Sequence, residues 1–215
     1  MHPCPLCDHT QVVDFFADKR RQYLQCSQCQ FVFVDPQQRL DAISEKAHYD
    51  LHENDPSDQG YRRFLSRMAE PMSERLPAPS QGIDFGCGPG PTLSVMMEER
   101  GHTMALYDIY YYPDKQVLDT TYDFMTATEV IEHLYDPKTV WQQWLSLVKP
   151  GGWIGVMTKL VKSVEAFAGW HYKNDLTHVS FFSQATFKYL AARDGLQLEF
   201  IGNDVILLRK PSNES

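Results

Sequence analysis

Four of the five cysteines fall into two pairs, and each pair encloses two residues. Cys4 and Cys7 form the first pair, and Cys26 and Cys29 form the second, with eighteen residues between the pairs. Two residues between thiolates let one tight turn aim both sulfurs at one ion, and two such turns complete a tetrahedron. The spacing predicts a structural zinc ribbon, because four protein ligands leave no coordination position open for catalysis. A disulfide framework is the alternative, and it fits poorly with a reducing compartment.

A glycine-rich turn is the second feature that could support chemistry. Residues 82–85 before it read as a buried strand, and residues 92–100 after it read as a helix. Glycines here allow a ligand to approach the backbone, and they allow dihedral angles that a side chain would block. Asp108 follows the next predicted strand, 103–107, where a carboxylate can accept hydrogen bonds from both ribose hydroxyls. The pattern predicts a site for a nucleotide-like cofactor, and its glycines are Gly86, Gly88 and Gly90.

Polar and aromatic residues crowd the segment 170–182, which follows a predicted strand. His171 and His178 can titrate near neutral pH, and Asp175 can fix the tautomer of a histidine. Their spacing places all three on one face if the segment is helical. Three interpretations stay open: a general base, a second metal site, or a hydrogen-bonded loop without chemistry. His133 is a fourth candidate for the base.

Hydrophobic patterning predicts the elements that must position these residues. The length of 215 residues fits one α/β domain with a small appendage. We predict strands at 23–25, 31–34, 82–85, 103–107, 122–127, 154–158, 196–201 and 205–209, the first two forming the ribbon hairpin. We predict helices at 37–50, 61–76 and 92–100 and a last one between Ser183 and Gly195, with a loop at 51–60.

The charge balance weakens any hypothesis of nucleic-acid binding. The formal net charge is −8, whereas phosphate binding relies on clustered Lys and Arg. Lys19-Arg20-Arg21 is a local exception, interpreted as a solvated hairpin loop. No apolar run is long enough to span a bilayer, and no basic region precedes an apolar core at the start. We therefore expect a cytoplasmic protein without a membrane role.

Three stretches, in the required order, resemble class I S-adenosylmethionine (SAM) methyltransferases. Asp84-Phe85-Gly86-Cys87-Gly88-Pro89-Gly90 resembles their first signature, Glu129-Val130-Ile131-Glu132-His133-Leu134 the end of their fourth strand, and Lys149-Pro150-Gly151-Gly152-Trp153 the turn into their fifth. The segment from His171 to Phe182 resembles one that borders the active site in a branch of that family. The resemblance implies a Rossmann-like mixed sheet of seven strands or slightly fewer, with helices on both faces.

The resemblance also implies roles for individual residues. The three glycines would line the methionine and ribose portion of SAM, and Asp108 would bind the ribose. Asp84 would position the turn or the amino group of the cofactor. Cys87 is interpreted as a small residue of the turn, because no nearby base activates its thiol. The expected cofactor site also includes Ile109 and, beside the sulfonium, Glu129 and Val130.

One departure from the family concerns the chain after Asp108. Only thirteen residues separate it from the strand that begins at Tyr122, a stretch where the family usually fits a helix and another strand. Residues 115–118 could form an abbreviated strand that places Asp119 near the adenine. Alternatively, Tyr110-Tyr111-Tyr112 could supply an aromatic wall for that ring.

The leading hypothesis is a SAM-dependent methyltransferase that acts on a small molecule. We predict a zinc ribbon over 1–35, a helical connector over 36–80 and the SAM-binding domain over 81–215. An RNA base methyltransferase that uses the ribbon to bind RNA is the first alternative, and net acidity argues against it. A non-catalytic SAM-binding regulator is the second, and the polar segment argues against it. A protein partner of the ribbon stays open.

Overall fold

The computed structural model describes residues 2–41 and 55–212, and two β-sheets organise this part of the chain. The strands are β1 Val12–Ala17, β2 Gln22–Cys26, β3 Val32–Val34, β4 Gln81–Phe85, β5 Thr103–Tyr107, β6 Tyr122–Thr128, β7 Val148–Met157, β8 Ser180–Phe181, β9 Gln197–Ile201 and β10 Val205–Arg209. The α-helices are α1 Gln59–Ser73, α2 Thr92–Glu98, α3 Pro137–Leu147, α4 Val164–Ala168 and α5 Gln184–Asp194. Most of the helix predicted at 37–50 and the first part of the loop predicted at 51–60 lie outside the described residues.

The larger sheet has six strands in the order β5-β4-β6-β7-β10-β9. β4 pairs in parallel with β5 and β6, and β6 pairs in parallel with β7. β10 is antiparallel to both β7 and β9. The predicted mixed, slightly reduced sheet is therefore confirmed. Because β4, β5 and β6 run in the same direction, the residues that follow them meet at one edge of the sheet.

Alternating apolar residues place helices on both faces of this sheet. Along β7, Ile154 and Val156 pack in the cluster that contains Trp141 and Trp144 of α3. Trp153 and Met157, which flank these two residues along β7, pack with Leu207 of β10 in the cluster that contains α1 and α2. Successive side chains of a strand point to opposite faces, so one strand contributes to two cores.

The smaller sheet joins the cysteine-rich start of the chain to its second half. Its order is β1-β2-β3-β8, and β8 comes from the polar segment that follows β7. β3 and β8 pair antiparallel, with Val32 opposite Phe181 and Phe33 opposite Ser180. The ring centroids of Phe31 and Phe182 lie 4.8 Å apart. The ribbon thus shares a sheet and a core with residues 180–187, while the domain boundaries at 35 and 80 stay a prediction.

The prediction of a strand at 115–118 is wrong, because Lys115–Asp119 forms a 3-10 helix. The carboxylate of Asp114 caps this helix by accepting a hydrogen bond from the backbone N–H of Gln116 at 2.9 Å. The hydroxyl of Tyr122 donates to the carbonyl of Val117 at 2.7 Å, which fixes the helix beside β6. These local contacts favour a turn over an added strand.

The predicted ends of the last helix and the closing strand pair are confirmed. Ser183 is the N-cap of α5 and forms a capping box with Thr186, and Gly195 is its C-cap with a φ of 68°. β9 and β10 form the closing antiparallel pair. Within the described residues, no helix is both long enough and apolar enough to cross a membrane.

Candidate functional site

A cavity of about 520 Å³ lies at the edge where β4, β5 and β6 end. This edge, beyond the carboxyl ends of the strands, is where open α/β sheets bind ligands. Its volume falls within the usual range for small-molecule sites, about 300–1,000 Å³. Tyr61 and Phe64 of α1 line the cavity together with the residues that follow the three strands.

The glycine turn presents bare backbone to this cavity. Gly86 has a φ of +76°, and Gly88 has a φ of +65°, values that side chains disfavour. The backbone N–H of Gly86 donates to the carbonyl of Tyr107 at 2.7 Å. A Cβ atom added at Gly86 would lie 2.5 Å from Cγ2 of Val130, so only glycine fits there without a shift.

Asp108 joins the glycine turn to the loop after β5. Its Oδ2 accepts a hydrogen bond from the N–H of Gly88 at 3.1 Å. Its Oδ1 accepts from the N–H groups of Tyr110 and Tyr111 at 2.8 and 3.1 Å. Asp108 lines the cavity beside Ile109, which is 61% exposed. A carboxylate oxygen can accept two hydrogen bonds, so Oδ2 of Asp108 retains capacity for a ligand hydroxyl.

Asp84 lies under the turn and does not line the cavity. Its carboxylate accepts hydrogen bonds from the hydroxyls of Ser94 at 3.1 Å and Thr126 at 2.9 Å. Burial raises the pKa of Asp84 to about 6, although both hydroxyls oppose that shift. Of the two roles expected for it, these contacts fit positioning of the turn. Gly90 is buried and likewise does not line the cavity.

Cys87 lines the cavity within the turn. Burial, and then the carboxylates of Asp84 and Asp108, raise the pKa of its thiol well above the usual range. The thiol therefore stays protonated at neutral pH and is a poor nucleophile.

A pair of carboxylates follows β6. Glu129 lines the cavity next to Val130, and it holds a φ of +53°, fixed by its N–H bond to the carbonyl of Met157 at 2.8 Å. Such a conformation is strained for a residue with a side chain, and it is concentrated at functional sites. Burial raises the pKa of Glu129.

Glu132 is the second carboxylate, and it is fully buried. Thr158 donates to its Oε2 at 3.0 Å, and the hydroxyl of Tyr172 donates to its Oε1. The same hydroxyl lies 3.3 Å from Oε2 of Glu129. Burial, and then the Glu129 charge, raise the pKa of Glu132. The sequence alone assigned no individual role to Glu132 or Tyr172. The signal that could have identified Glu132 is a carboxylate among the apolar residues of the segment 130–134.

Two imidazoles meet beside these carboxylates. The rings of His133 and His178 lie 4.6 Å apart, and both line the cavity. Nδ1 of His178 lies 2.7 Å from the carbonyl oxygen of Tyr172, and Nδ1 of His133 lies 3.3 Å from that of Thr177. A carbonyl can only accept, so Nδ1 carries the proton in both rings and Nε2 is the basic atom.

Asp175 also lines the cavity, with Oδ2 3.8 Å from Nε2 of His178. Burial lowers the pKa of His178 and outweighs the opposing effect of Asp175, so its imidazole is neutral at neutral pH. For Asp175, burial acts to raise the pKa, but hydrogen bonds from the Thr177 hydroxyl and N–H lower it overall.

His171 does not join this group. It is exposed, it does not line the cavity, and its Nε2 lies 3.2 Å from Nζ of Lys159. The expected single helical face is absent because the 3-10 helix His171–Asn174 ends before Asp175. The Asp175 carboxylate accepts from the N–H and hydroxyl of Thr177 at 2.9 and 2.6 Å, a local turn that replaces the helix.

Residues 57–199 match the model of a protein family described as a methyltransferase domain. The chain belongs to this methyltransferase family. A search of curated proteins found no match.

Solved structures share the fold of this methyltransferase domain. An O-methyltransferase family protein from Burkholderia thailandensis has a TM-score of 0.57 and 15% identity, with 81% of this chain and 61% of that chain covered. The 1,6-didemethyltoxoflavin-N1-methyltransferase of Burkholderia thailandensis, with bound 1,6-didemethyltoxoflavin and S-adenosylhomocysteine, has a TM-score of 0.53 and 15% identity, with 93% and 99% covered. A chain from the complex of the Haloferax volcanii Trm112 methyltransferase activator and a methyltransferase has a TM-score of 0.50 and 12% identity, with 78% and 98% covered. Because the identities are only 12–15%, these matches show a shared Rossmann-like methyltransferase fold and nothing beyond the fold.

The four paired cysteines of this methyltransferase converge as their spacing predicts. Sγ of Cys4 lies 3.6 Å from Sγ of Cys29, and Sγ of Cys7 lies 3.6 and 3.4 Å from those of Cys26 and Cys29. A disulfide requires about 2.05 Å, so the sulfurs are unbonded. Zn–S bonds of about 2.3 Å in a tetrahedron give sulfur separations of about 3.8 Å. The geometry is compatible with a small zinc site.

Arg21 connects the ribbon to the methyltransferase cavity. It lies in the turn between β1 and β2, and it is only 4% exposed. Its guanidinium donates to four backbone carbonyls of one loop, those of Lys173, Asp175, Leu176 and His178. The interpretation of the basic run as a solvated loop is therefore wrong for Arg21. The basic run alone predicts a solvated surface. Nothing in the sequence indicates that the loop containing residues 173–178 packs over Arg21.

Proposed function

We propose that this protein transfers the methyl group of SAM to a small molecule held in the cavity. The observation that carries the proposal is that one cavity joins the bare glycine turn and Asp108 to the polar group of Glu129, His133, Asp175 and His178. The first set suits a nucleoside cofactor, and the second set suits an acceptor that must lose a proton.

Several residues fit SAM. The backbone at Gly86 and Gly88 allows close approach, and the Asp108 carboxylate suits a ribose diol. Tyr110 and Tyr111 line the cavity, so they support the aromatic wall, whereas Asp119 does not line it. When bound, the cofactor supplies an electrophilic methyl group on a sulfonium. Glu129 and Val130, at the end of β6, would lie beside that group.

A small acceptor is favoured over RNA. The net charge is −8, and Arg21, a member of the basic run of the ribbon, is buried against backbone carbonyls rather than offered to phosphate. The Burkholderia N1-methyltransferase with the same fold holds a small molecule together with S-adenosylhomocysteine (SAH). The polar acceptor side favours an enzyme over a non-catalytic SAM-binding regulator. Structural zinc in the ribbon and a cytoplasmic location are part of the proposal, because a reducing compartment keeps cysteines available as zinc ligands instead of disulfides.

The direct test supplies radiolabelled SAM together with metabolite pools or total RNA. We expect label in small molecules that survive nuclease treatment. Label that becomes nuclease-sensitive would establish the RNA alternative instead, and SAH binding without any transfer would favour the regulator.

Asp108→Ala is expected to weaken SAH binding by about 1.5–3 kcal/mol, the range for hydrogen bonds to a charged group. Calorimetry on the folded variant measures this loss. Asp108→Asn distinguishes the role of Asp108 in holding the loop from its role in binding the ligand. Asparagine keeps one oxygen acceptor for the loop but loses the charge. Asp119→Ala is the matched control, since Asp119 is exposed and outside the cavity. Equal SAH affinity in Asp108→Ala and the control would exclude Asp108 from the site.

Arg21→Lys is expected to lower methyl transfer at least tenfold while SAH affinity changes little. Lysine keeps the charge but cannot present the planar fork that bonds several carbonyls at once. The loop that carries Asp175 and His178 should then lose its fixed position, whereas the glycine turn lies on the other sheet. Arg20→Lys, in the exposed part of the same turn, is the control. If both variants transfer methyl groups equally well, Arg21 does not position the loop.

A further inference from the structure

Three side chains beside the cavity converge closely enough to share one ion. The ligand atoms of Glu132, His133 and His178 all lie within 4.8 Å of one another. Two of the three, His133 and His178, line the cavity itself. This group is separate from the four-cysteine site.

The contacts around the group hold its members in the orientation that metal ligands need. Both imidazoles are anchored at Nδ1 by a backbone carbonyl, of Thr177 for His133 and of Tyr172 for His178. Such an outer bond fixes the tautomer and leaves Nε2 as the donor atom, which is the usual arrangement at metal centres. The carboxylate of Glu132 is likewise fixed by hydroxyls from Thr158 and Tyr172.

The carboxylates beside the cavity can also accept a cation. The hydroxyls of Thr158 and Tyr172 that bond Glu132 are neutral groups. Tyr172 has one proton to donate, yet it faces carboxylate oxygens of both Glu129 and Glu132. Burying a carboxylate is costly, and either a proton or a bound metal ion that takes its place removes that cost; Lys159 also acts on Glu129.

We propose that Glu132, His133 and His178 bind one divalent first-row transition-metal ion, such as Mn²⁺, Fe²⁺ or Zn²⁺. Two imidazoles and one carboxylate are ligands that these ions accept. Three protein ligands leave coordination positions open, in contrast to the four-cysteine site. Since the imidazoles line the cavity, the open positions face the acceptor side.

This location indicates the class of acceptor, an inference that rests on the proposed function. A hydroxyl oxygen of the acceptor would complete the coordination of the metal, which lowers its pKa. The O–H bond would break and its proton would pass to solvent water. The oxygen would then form a bond to the methyl carbon that SAM supplies, the methyl–sulfur bond would break, and its electron pair would stay on sulfur. Hydroxylated small molecules are therefore the expected acceptors.

The test measures metal content rather than activity. The full chain, with zinc retained in the ribbon, is dialysed to equilibrium against Mn²⁺, and total first-row metal per chain is counted by mass spectrometry. Mn²⁺ is the probe because thiolates prefer softer ions. We expect about two equivalents in the parent protein. Glu132→Gln, His133→Asn and His178→Asn should each weaken binding of the second equivalent at least tenfold, as even loss of an outer partner costs about 10–100-fold.

His171→Asn is the matched control, because His171 belongs to the same segment but is exposed and outside the cavity. It should retain the second equivalent. A single equivalent in the parent protein, or a second equivalent that all three ligand variants retain, would overturn the metal site. SAH affinity is measured in parallel by calorimetry. Two equivalents of metal without SAH binding would refute the proposed function and leave the metal site standing.

Discussion

Loss of the zinc that we propose at the four-cysteine site is expected to unfold residues 2–34 and to abolish methyl transfer. A segment this short buries too little apolar surface to fold alone, so bound metal supplies its folding free energy. Structural zinc contributes about 10–16 kcal/mol in comparable small units. The four thiolates tie the start of the chain to the turn between β2 and β3, since Cys4 and Cys7 precede β1, Cys26 ends β2 and Cys29 lies in that turn.

The damage should reach the cavity through two contacts. β3 pairs with β8, and Arg21 bonds the carbonyls around Asp175 and His178. The glycine turn lies on the six-stranded sheet, so SAH affinity should fall much less than the rate of transfer. The ratio of these two losses is therefore the informative measurement.

Cys26→Ser is the decisive variant, because a chelator would also strip any metal bound beside the cavity. It should contain about one equivalent of metal less than the parent protein. Cys87→Ser, at the cysteine outside the cluster, should keep the full metal content. Mass spectrometry, far-UV circular dichroism and the transfer assay follow the three effects. Unchanged metal content in Cys26→Ser, or disulfides linking the four cysteines, would show that the site does not hold structural zinc.

Features encoded over a few residues could be predicted from the sequence. The C-x-x-C spacing located the four-sulfur site, because each pair needs only one turn to converge. Short, mainly apolar runs located the strands at 103–107 and 205–209, and the serine and glycine at 183 and 195 located both ends of α5. The glycine turn was found because strand, turn and helix follow each other directly.

Features that depend on distant contacts could not be predicted in this way. The bonds of Arg21 join residues separated by 152 to 157 positions. β8 has only two residues and forms because β3 offers a free edge. Neither event leaves a periodic pattern in the chain, and the basic run alone favours a solvated surface.

The histidine segment shows how one local bond can redirect a prediction. Helical spacing would have grouped His171 with His178. The carboxylate of Asp175 instead bonds Thr177 and ends the helix, which leaves His171 in solvent. His133 then occupies the position beside His178 that spacing had assigned to His171.

Gly86→Ala is expected to destabilise the protein by about 2–5 kcal/mol and to weaken SAH binding. A left-handed backbone costs a residue with a Cβ atom about 1–2 kcal/mol. The new methyl group would also lie 2.5 Å from Cγ2 of Val130, and overpacking of this kind costs about 1–3 kcal/mol. The backbone at this position lines the cavity. Any shift that relieves the clash therefore also moves the backbone that would contact the cofactor.

Gly101→Ala separates the two contributions, because Gly101 has a φ of +88° and a Cβ atom there would meet nothing within 4 Å. It should show only the backbone cost and should leave SAH affinity unchanged. Adding Val130→Ala to Gly86→Ala should recover stability by removing the atoms that clash. Chemical denaturation gives the free energies, and calorimetry gives the SAH affinities. Equal destabilisation by Gly86→Ala and Gly101→Ala would mean that the Val130 side chain moves aside at no cost. Contact with the residues after β6 would then not hold the glycine turn in place.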